Sequence, residues 1–102
     1  MQTAMIEFEI TDNEFLRQFE LHVGDNMARI EYALQERKIF LTKFDMPQEM
    51  EQQDFAEPFI EAVFKEIKNR NISMVPTSSE IASFVRRNRR KYKELLPVGI
   101  NI

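Results

Sequence analysis

The residues best placed for chemistry stand in a short polar loop, Gln52-Gln53-Asp54-Phe55-Ala56-Glu57, at the head of an amphipathic stretch. In a unit of loop, helix and buried strand, ligands usually bind where the loop runs into the helix, because free amides and the helix dipole favour an anion there. A carboxylate at Asp54, with Glu51 and Glu57 nearby, works against an anion, although it also complements the dipole. Farther on, Thr77-Ser78-Ser79-Glu80 has the pattern of a helix cap. Thr77 and Glu80 fit a capping box, and Ser78 or Ser79 could equally be the cap. The chain has no cysteine, which removes disulfides, cysteine-held metal and a thiol nucleophile together.

The elements that must position these residues follow from hydrophobic period. Phe55, Phe59, Ile60, Val63, Phe64 and Ile67 form one stripe of a 3.6-residue helix, with Glu57, Glu61, Lys65, Glu66 and Lys68 opposite. This predicts a helix over residues 51–69, with Phe64 in the core. Residues 71–75 are too short and too apolar for anything but a buried strand. Upstream, residues 15–23, 27–34 and 39–44 read as three strands joined by Gly24-Asp25-Asn26 and by Gln35-Glu36-Arg37-Lys38. Ile6-Glu7-Phe8-Glu9-Ile10 alternates like an edge strand or a mobile arm, and Thr11-Asp12-Asn13 is a turn signal. A last helix starts at the Thr77 cap, buries Ile81, Phe84, Val85 and Tyr92, and ends at Pro97 and Gly99. The expected fold is α+β, in the order βββ-α-β-α: an antiparallel meander extended by one strand and covered by two helices.

Composition sets the class. A chain of 102 residues with 43% hydrophobic content and nine Phe is expected to form one domain over residues 1–102. Glu7 and Glu9 break the apolar N-terminal stretch, and no segment approaches the roughly 20 apolar residues that span a bilayer. The expectation is a soluble, cytoplasmic protein without membrane contact. The net charge of −3 hides a split, with 16 acids and 8 bases before residue 86 and six bases against Glu94 after it. Such a split can mark an anionic partner, but a solvated basic helix end is the simpler reading. Specific nucleic-acid binding is not expected, because only Tyr92 interleaves those bases.

Taken in order, several short motifs resemble the small, single-domain GNAT-type N-acetyltransferases. They are Gly24-Asp25, Ala28-Arg29-Ile30-Glu31-Tyr32, Leu41-Thr42-Lys43-Phe44-Asp45-Met46-Pro47, Val75-Pro76, Ile81-Ala82-Ser83-Phe84-Val85-Arg86-Arg87-Asn88 and Tyr92-Lys93-Glu94-Leu95-Leu96. The resemblance covers roughly residues 15–96. It implies acetyl transfer from acetyl-CoA to an amine, with the thioester lying between splayed third and fourth strands of the meander and its extension. Phe44, Asp45 and Met46 would orient the pantetheine, and Gln52, Gln53, Asp54, Phe55, Ala56 and Glu57 would meet the CoA pyrophosphate.

The departures from the family pattern are specific. The family's loop reads roughly Gly-x-Gly-Ile-Ala, and here Gln52 and Asp54 replace both glycines while Phe55 and Ala56 fit. Glycine suits that place because a backbone close to phosphate tolerates no Cβ and can require a positive φ. Two like charges about 4 Å apart at an effective dielectric of about 20 repel by about 4 kcal/mol, so Asp54 should weaken pyrophosphate binding. Ser78 stands where many members carry a cysteine, and Lys43-Phe44 replaces a His-Thr or similar pair. The resemblance thus makes Ser78 and Lys43 the catalytic candidates. Ser needs a neighbouring base, and Lys needs desolvation to become one. Arg89 and Arg90 replace a frequent Pro-Glu. Lone His22 lies outside these motifs, in a strand. The alternative function is a GNAT-like fold without catalysis, an interaction module whose contact surface would be the basic run from Arg86 to Lys93.

Overall fold

The computed structural model describes residues 9–100. The strands are β1 (Thr11–Asn13), β2 (Gln18–Val23), β3 (Asn26–Gln35), β4 (Lys38–Asp45) and β5 (Ser73–Pro76). They form a single sheet in sequence order, antiparallel from β1 to β4, with β5 parallel to β4. The helices are α1 (Gln48–Gln52), α2 (Ala56–Asn69), α3 (Ser79–Arg87) and α4 (Arg89–Tyr92), followed by a 3₁₀ turn at Lys93–Leu95. A parallel β4–β5 pair needs a crossover, and α1 and α2 supply it.

Alternation along the strands explains the layering. Phe19 and Leu21 of β2, Ala28, Ile30 and Tyr32 of β3, Ile39 and Leu41 of β4 and Met74 of β5 are buried on one face. The stripe Phe59, Ile60, Val63, Phe64 and Ile67 of α2 joins them in one core, with Ile81, Phe84 and Val85 of α3 and Tyr92 of α4. Phe64 packs edge-on against Tyr92 (ring centroids 4.8 Å apart) and Phe84 (5.9 Å), a favoured arrangement of aromatic quadrupoles. The α+β class, the α2 stripe and the α3 core face are therefore as the sequence predicts. The basic residues Arg86, Arg87, Arg89, Arg90, Lys91 and Lys93 are all exposed.

Several boundaries differ, each for a local reason. Thr11-Asp12-Asn13 is an edge strand and not a turn; Tyr32 donates to Asp12 (2.6 Å) and Asn13 donates to Glu20 (3.0 Å), which ties this segment to the sheet. The turn falls one step later, with Arg17 at φ +57°. The strand expected at residues 6–10 falls mostly outside the described residues.

The helix expected over 51–69 is two helices. Pro58 has no N–H to give the carbonyl of Asp54, and its ring would clash with that carbonyl in a continuous helix. The chain breaks between Gln52 and Ala56, with Asp54 in the left-handed region at φ +64°. Asn71, at φ +60°, ends α2, so β5 starts at Ser73 and not at 71. The last helix is also interrupted. Asn88 turns its side-chain amide onto the Phe84 carbonyl (2.9 Å), competing with the backbone ladder, and adopts φ −125°, ψ 38°. The Thr77–Glu80 capping box does not form. Ser78 is the N-cap, Thr77 donates its hydroxyl to the Leu41 carbonyl, and Glu80 accepts from Ser78 and Ser79.

Candidate functional site

Strands β4 and β5 run together only over Lys38–Leu41 and Ser73–Pro76, then part. Two features force the fork. Pro76 has no N–H, and the amides of Thr77 and Ser78 both converge on the Leu41 carbonyl (3.1 and 2.9 Å), turning the chain out of the sheet into α3. Beyond Leu41, residues 43–45 of β4 pair with β3 but with no β5 residue, which leaves a stretch of backbone edge open.

A β-bulge sits at the same place. The register passes from Tyr32 opposite Leu41 to Glu31 opposite Lys43, so Thr42 is an additional residue on β4. Its hydroxyl donates to the Glu31 carbonyl (3.2 Å). One additional residue reverses the alternation: Ile39 and Leu41 face the core before it, and Phe44 and Met46 pack toward the core after it. Lys43 and Asp45 consequently share the outer face with Glu31 and Arg29, their cross-strand partners.

The loop leading into α2 is closed on itself. The Gln53 amide donates to the carbonyls of Glu49 and Met50, the Asp54 amide to Glu51 and the Phe55 amide to Met50 (3.1 Å). Three amides that could face an anion are thus spent on α1. The first turn of α2 retains the amides of Ala56 and Glu57, and Pro58 has none. Across this turn, the Arg87 guanidinium at the end of α3 lies 3.3 Å from the Glu57 carboxylate, both groups exposed. Such a pair is screened by water and leaves Arg87 available to another anion.

The predicted site residues fall on both sides of this fork. Phe44 is half-buried, its ring 6.4 Å from that of Phe59, and Met46 is buried in the core. Asp45 is exposed and paired with Arg29 (3.0 Å). Gln52, Gln53, Asp54 and Glu57 are exposed, while Phe55 and Ala56 are half-buried against the core. Lys43 is exposed on β4. Ser78 is buried at the point of the fork, and its hydroxyl donates to Glu80 Oε1 at 3.0 Å. Glu80's own backbone amide, followed by the Ser78 hydroxyl, holds that carboxyl below its usual range, and an acid that gives up its proton readily is a weak base. Ser78 and Glu80 therefore form a cap in which the serine is not activated.

Sequence reasoning missed Thr42, Pro58 and Arg87 as site-shaping residues. Two of them had a signal. The inward positions shift from odd (Ile39, Leu41) to even (Phe44, Met46) across Thr42, and a proline three residues inside a helix start is a first-turn marker. Arg87 had none, because its proximity to Glu57 spans two helices. Among the described residues, no group of three or more His, Cys, Asp and Glu side chains is placed to hold a metal, and no helix is long and apolar enough to cross a membrane.

A mixed five-stranded sheet with helices on its apolar face, forked between its last two strands at a bulge, is an α+β arrangement consistent with a GNAT-like fold. The chain belongs to the GCN5-related N-acetyl-transferase family: the family's profile matches residues 18–95, from the start of β2 to the final 3₁₀ turn. No curated protein matches the chain. Members of this family in general use acetyl-CoA and an amine.

Proposed function

We propose that residues 1–102 form one acetyltransferase domain, acting in the cytoplasm, that passes an acetyl group from acetyl-CoA to an amine while holding the CoA diphosphate weakly. The observation that carries this reading is the open β4 edge beyond Leu41, set by the Thr42 bulge and by Pro76. The fork suits a pantetheine arm: backbone polar groups along residues 43–45 supply hydrogen bonds, and Phe44 with Phe59 supplies an apolar floor. Acetyl-CoA brings the activated acyl group, so the chain has mainly to align amine and thioester and to exclude competing poses. Proton removal from the amine can be left to water, which makes an unactivated Ser78 no obstacle.

The diphosphate end fits less well. Among the described residues, the amides of Ala56 and Glu57 and the side chain of Arg87 can meet it, and Asp54 opposes it. Affinity for acetyl-CoA is expected in the high-micromolar range, and isothermal titration of the wild-type protein, followed by an acetylation assay with varied amines, tests both halves. Tight binding would mean that side chains such as Arg87 hold the phosphates, and would leave the enzymatic reading stronger. A second reading, an interaction module that no longer binds acetyl-CoA, is favoured by the three loop amides spent on α1. It predicts no heat of binding at millimolar acetyl-CoA.

A further inference from the structure

On the outer face of the sheet, at the mouth of the fork, lies a shallow cavity of about 320 Å³ lined by Ala33, Leu34, Gln35, Phe40, Thr42 and Thr77. Resting on the acetyltransferase reading, we propose that this cavity is the acceptor subsite and that it selects small amines with an apolar body and a single amino group.

Position comes first. Thr42 is the bulge residue of β4 and Thr77 is the first residue after β5, so the cavity straddles the gap between the strands. An amine seated there meets the gap from the face opposite α2. Volume comes next: about 320 Å³ is at the low end of small-molecule pockets, too little for a folded partner to insert more than one side chain.

The chemistry of the lining decides the class. No carboxylate lines the cavity. Both threonine hydroxyls are already donated, Thr42 to Glu31 O and Thr77 to Leu41 O. Ala33 and Phe40, partners across β3 and β4 on this outer face, present the surface that an apolar body would cover. A polyamine or a lysine-rich peptide would bring further ammonium groups to a lining that offers them no carboxylate, and burying an unpaired charge is costly.

Lys43 follows Thr42 on β4, exposed on the outer face opposite Glu31 and outside the cavity lining. In the reaction the amine lone pair forms the C–N bond to the acetyl carbonyl carbon and the C–S bond breaks. The CoA thiolate leaves and takes up a proton, and the ammonium proton goes to water or to that thiolate, giving an amide and free CoA.

The experiment has a binding arm and a turnover arm. In the protein without acetyl-CoA, 2-phenylethylamine should shift the amide resonances of Ala33, Leu34, Thr42 and Thr77, whereas spermidine at the same concentration should not. With acetyl-CoA, kcat/KM for 2-phenylethylamine should exceed that for spermidine or a lysine-containing peptide by about tenfold or more, the discrimination an apolar contact provides. Ala33→Asp, at an exposed position on this face whose Tm serves as the folding control, should reverse the ratio. Preference for spermidine or the peptide, or resonance shifts confined to another surface, would overturn the proposal. Were titration to show no acetyl-CoA binding, the acetyltransferase reading would fail by itself, and the resonance shifts would still decide what the cavity accepts.

Discussion

At its C-terminal end, α2 is fastened to the opposite edge of the sheet, while at its N-terminal end it opens onto a loop of exposed polar side chains. Arg70, directly after α2, donates to Asp12 of β1 at 2.7 Å and to Glu66 at 2.8 Å, and lies over the Phe19 ring at 5.4 Å. Tyr32 of β3 donates to the other oxygen of Asp12. Charge, hydrogen bond and aromatic contact converge, and each polar group has a partner. At the other end, Asp54 sits exposed in a left-handed conformation that glycine would adopt more easily. One end of the helix holds the sheet together, and the other stands against a loop of exposed polar side chains.

The largest effect should come from the helix centre, on which both ends depend. Phe64 is 1% exposed and touches two aromatic rings, so Phe64→Ala should destabilise the protein by about 3–5 kcal/mol. Chemical denaturation measures this, and an unchanged midpoint would detach α2 from the core.

The open end should answer next, in binding and not in folding. Replacing Gln52 and Asp54 together by Gly removes one charge and two Cβ atoms. Affinity for acetyl-CoA should rise, approaching about 2–4 kcal/mol if the charge is desolvated on binding and below about 1 kcal/mol if water screens it. Glycine at φ +64° also relieves the backbone, while the lost acid removes a few tenths of a kcal/mol, roughly, of dipole stabilisation. Titration of both proteins side by side reads the difference. No gain in affinity would mean that the loop is not the phosphate contact.

The fastened end should lose stability without changing ligand affinity. Asp12→Ala leaves the Arg70 guanidinium and the Tyr32 hydroxyl short of an acceptor, at a cost of about 1–3 kcal/mol. Burial, and then the Asp12 carboxylate, pushes the Tyr32 phenol up to about 12. An unfolded tyrosine ionises near 10, so the stabilisation from the protonated phenol is complete below about pH 10 and disappears as pH rises through about 12. Tyr32→Phe should flatten the stability curve in that window, measured by thermal unfolding at stepped alkaline pH.

The smallest effect concerns the basic surface beyond the open end. Arg86, Arg89, Arg90 and Lys93 are exposed but lie in a chain of net charge −3. Binding to DNA or RNA should be weak, independent of sequence and abolished by about 200 mM salt. A sequence-selective complex at that salt, in a mobility-shift assay, would make this surface and not the fork the functional one.

From its residues alone the chain determined its α+β class, the inward stripe of α2, the buried face of α3 and the exposure of the basic run. Each of these follows from a local period of apolar residues, and burial of an amphipathic face is the dominant gain in folding. The left-handed site at Asp54 was half-legible, since Pro58 forbids a helix running through it but does not say which residue takes the positive φ. Other features depended on segments distant in sequence. Asp12 reads as a turn former until Tyr32 and Arg70 reach it from β3 and α2. Thr77 and Glu80 read as a capping pair until the Leu41 carbonyl claims Thr77. The open edge exists only because Pro76 ends one strand where Thr42 bulges in its neighbour. Hydrogen-bond competition of this kind is settled by which partner the fold brings within about 3 Å, and tertiary packing alone determines that.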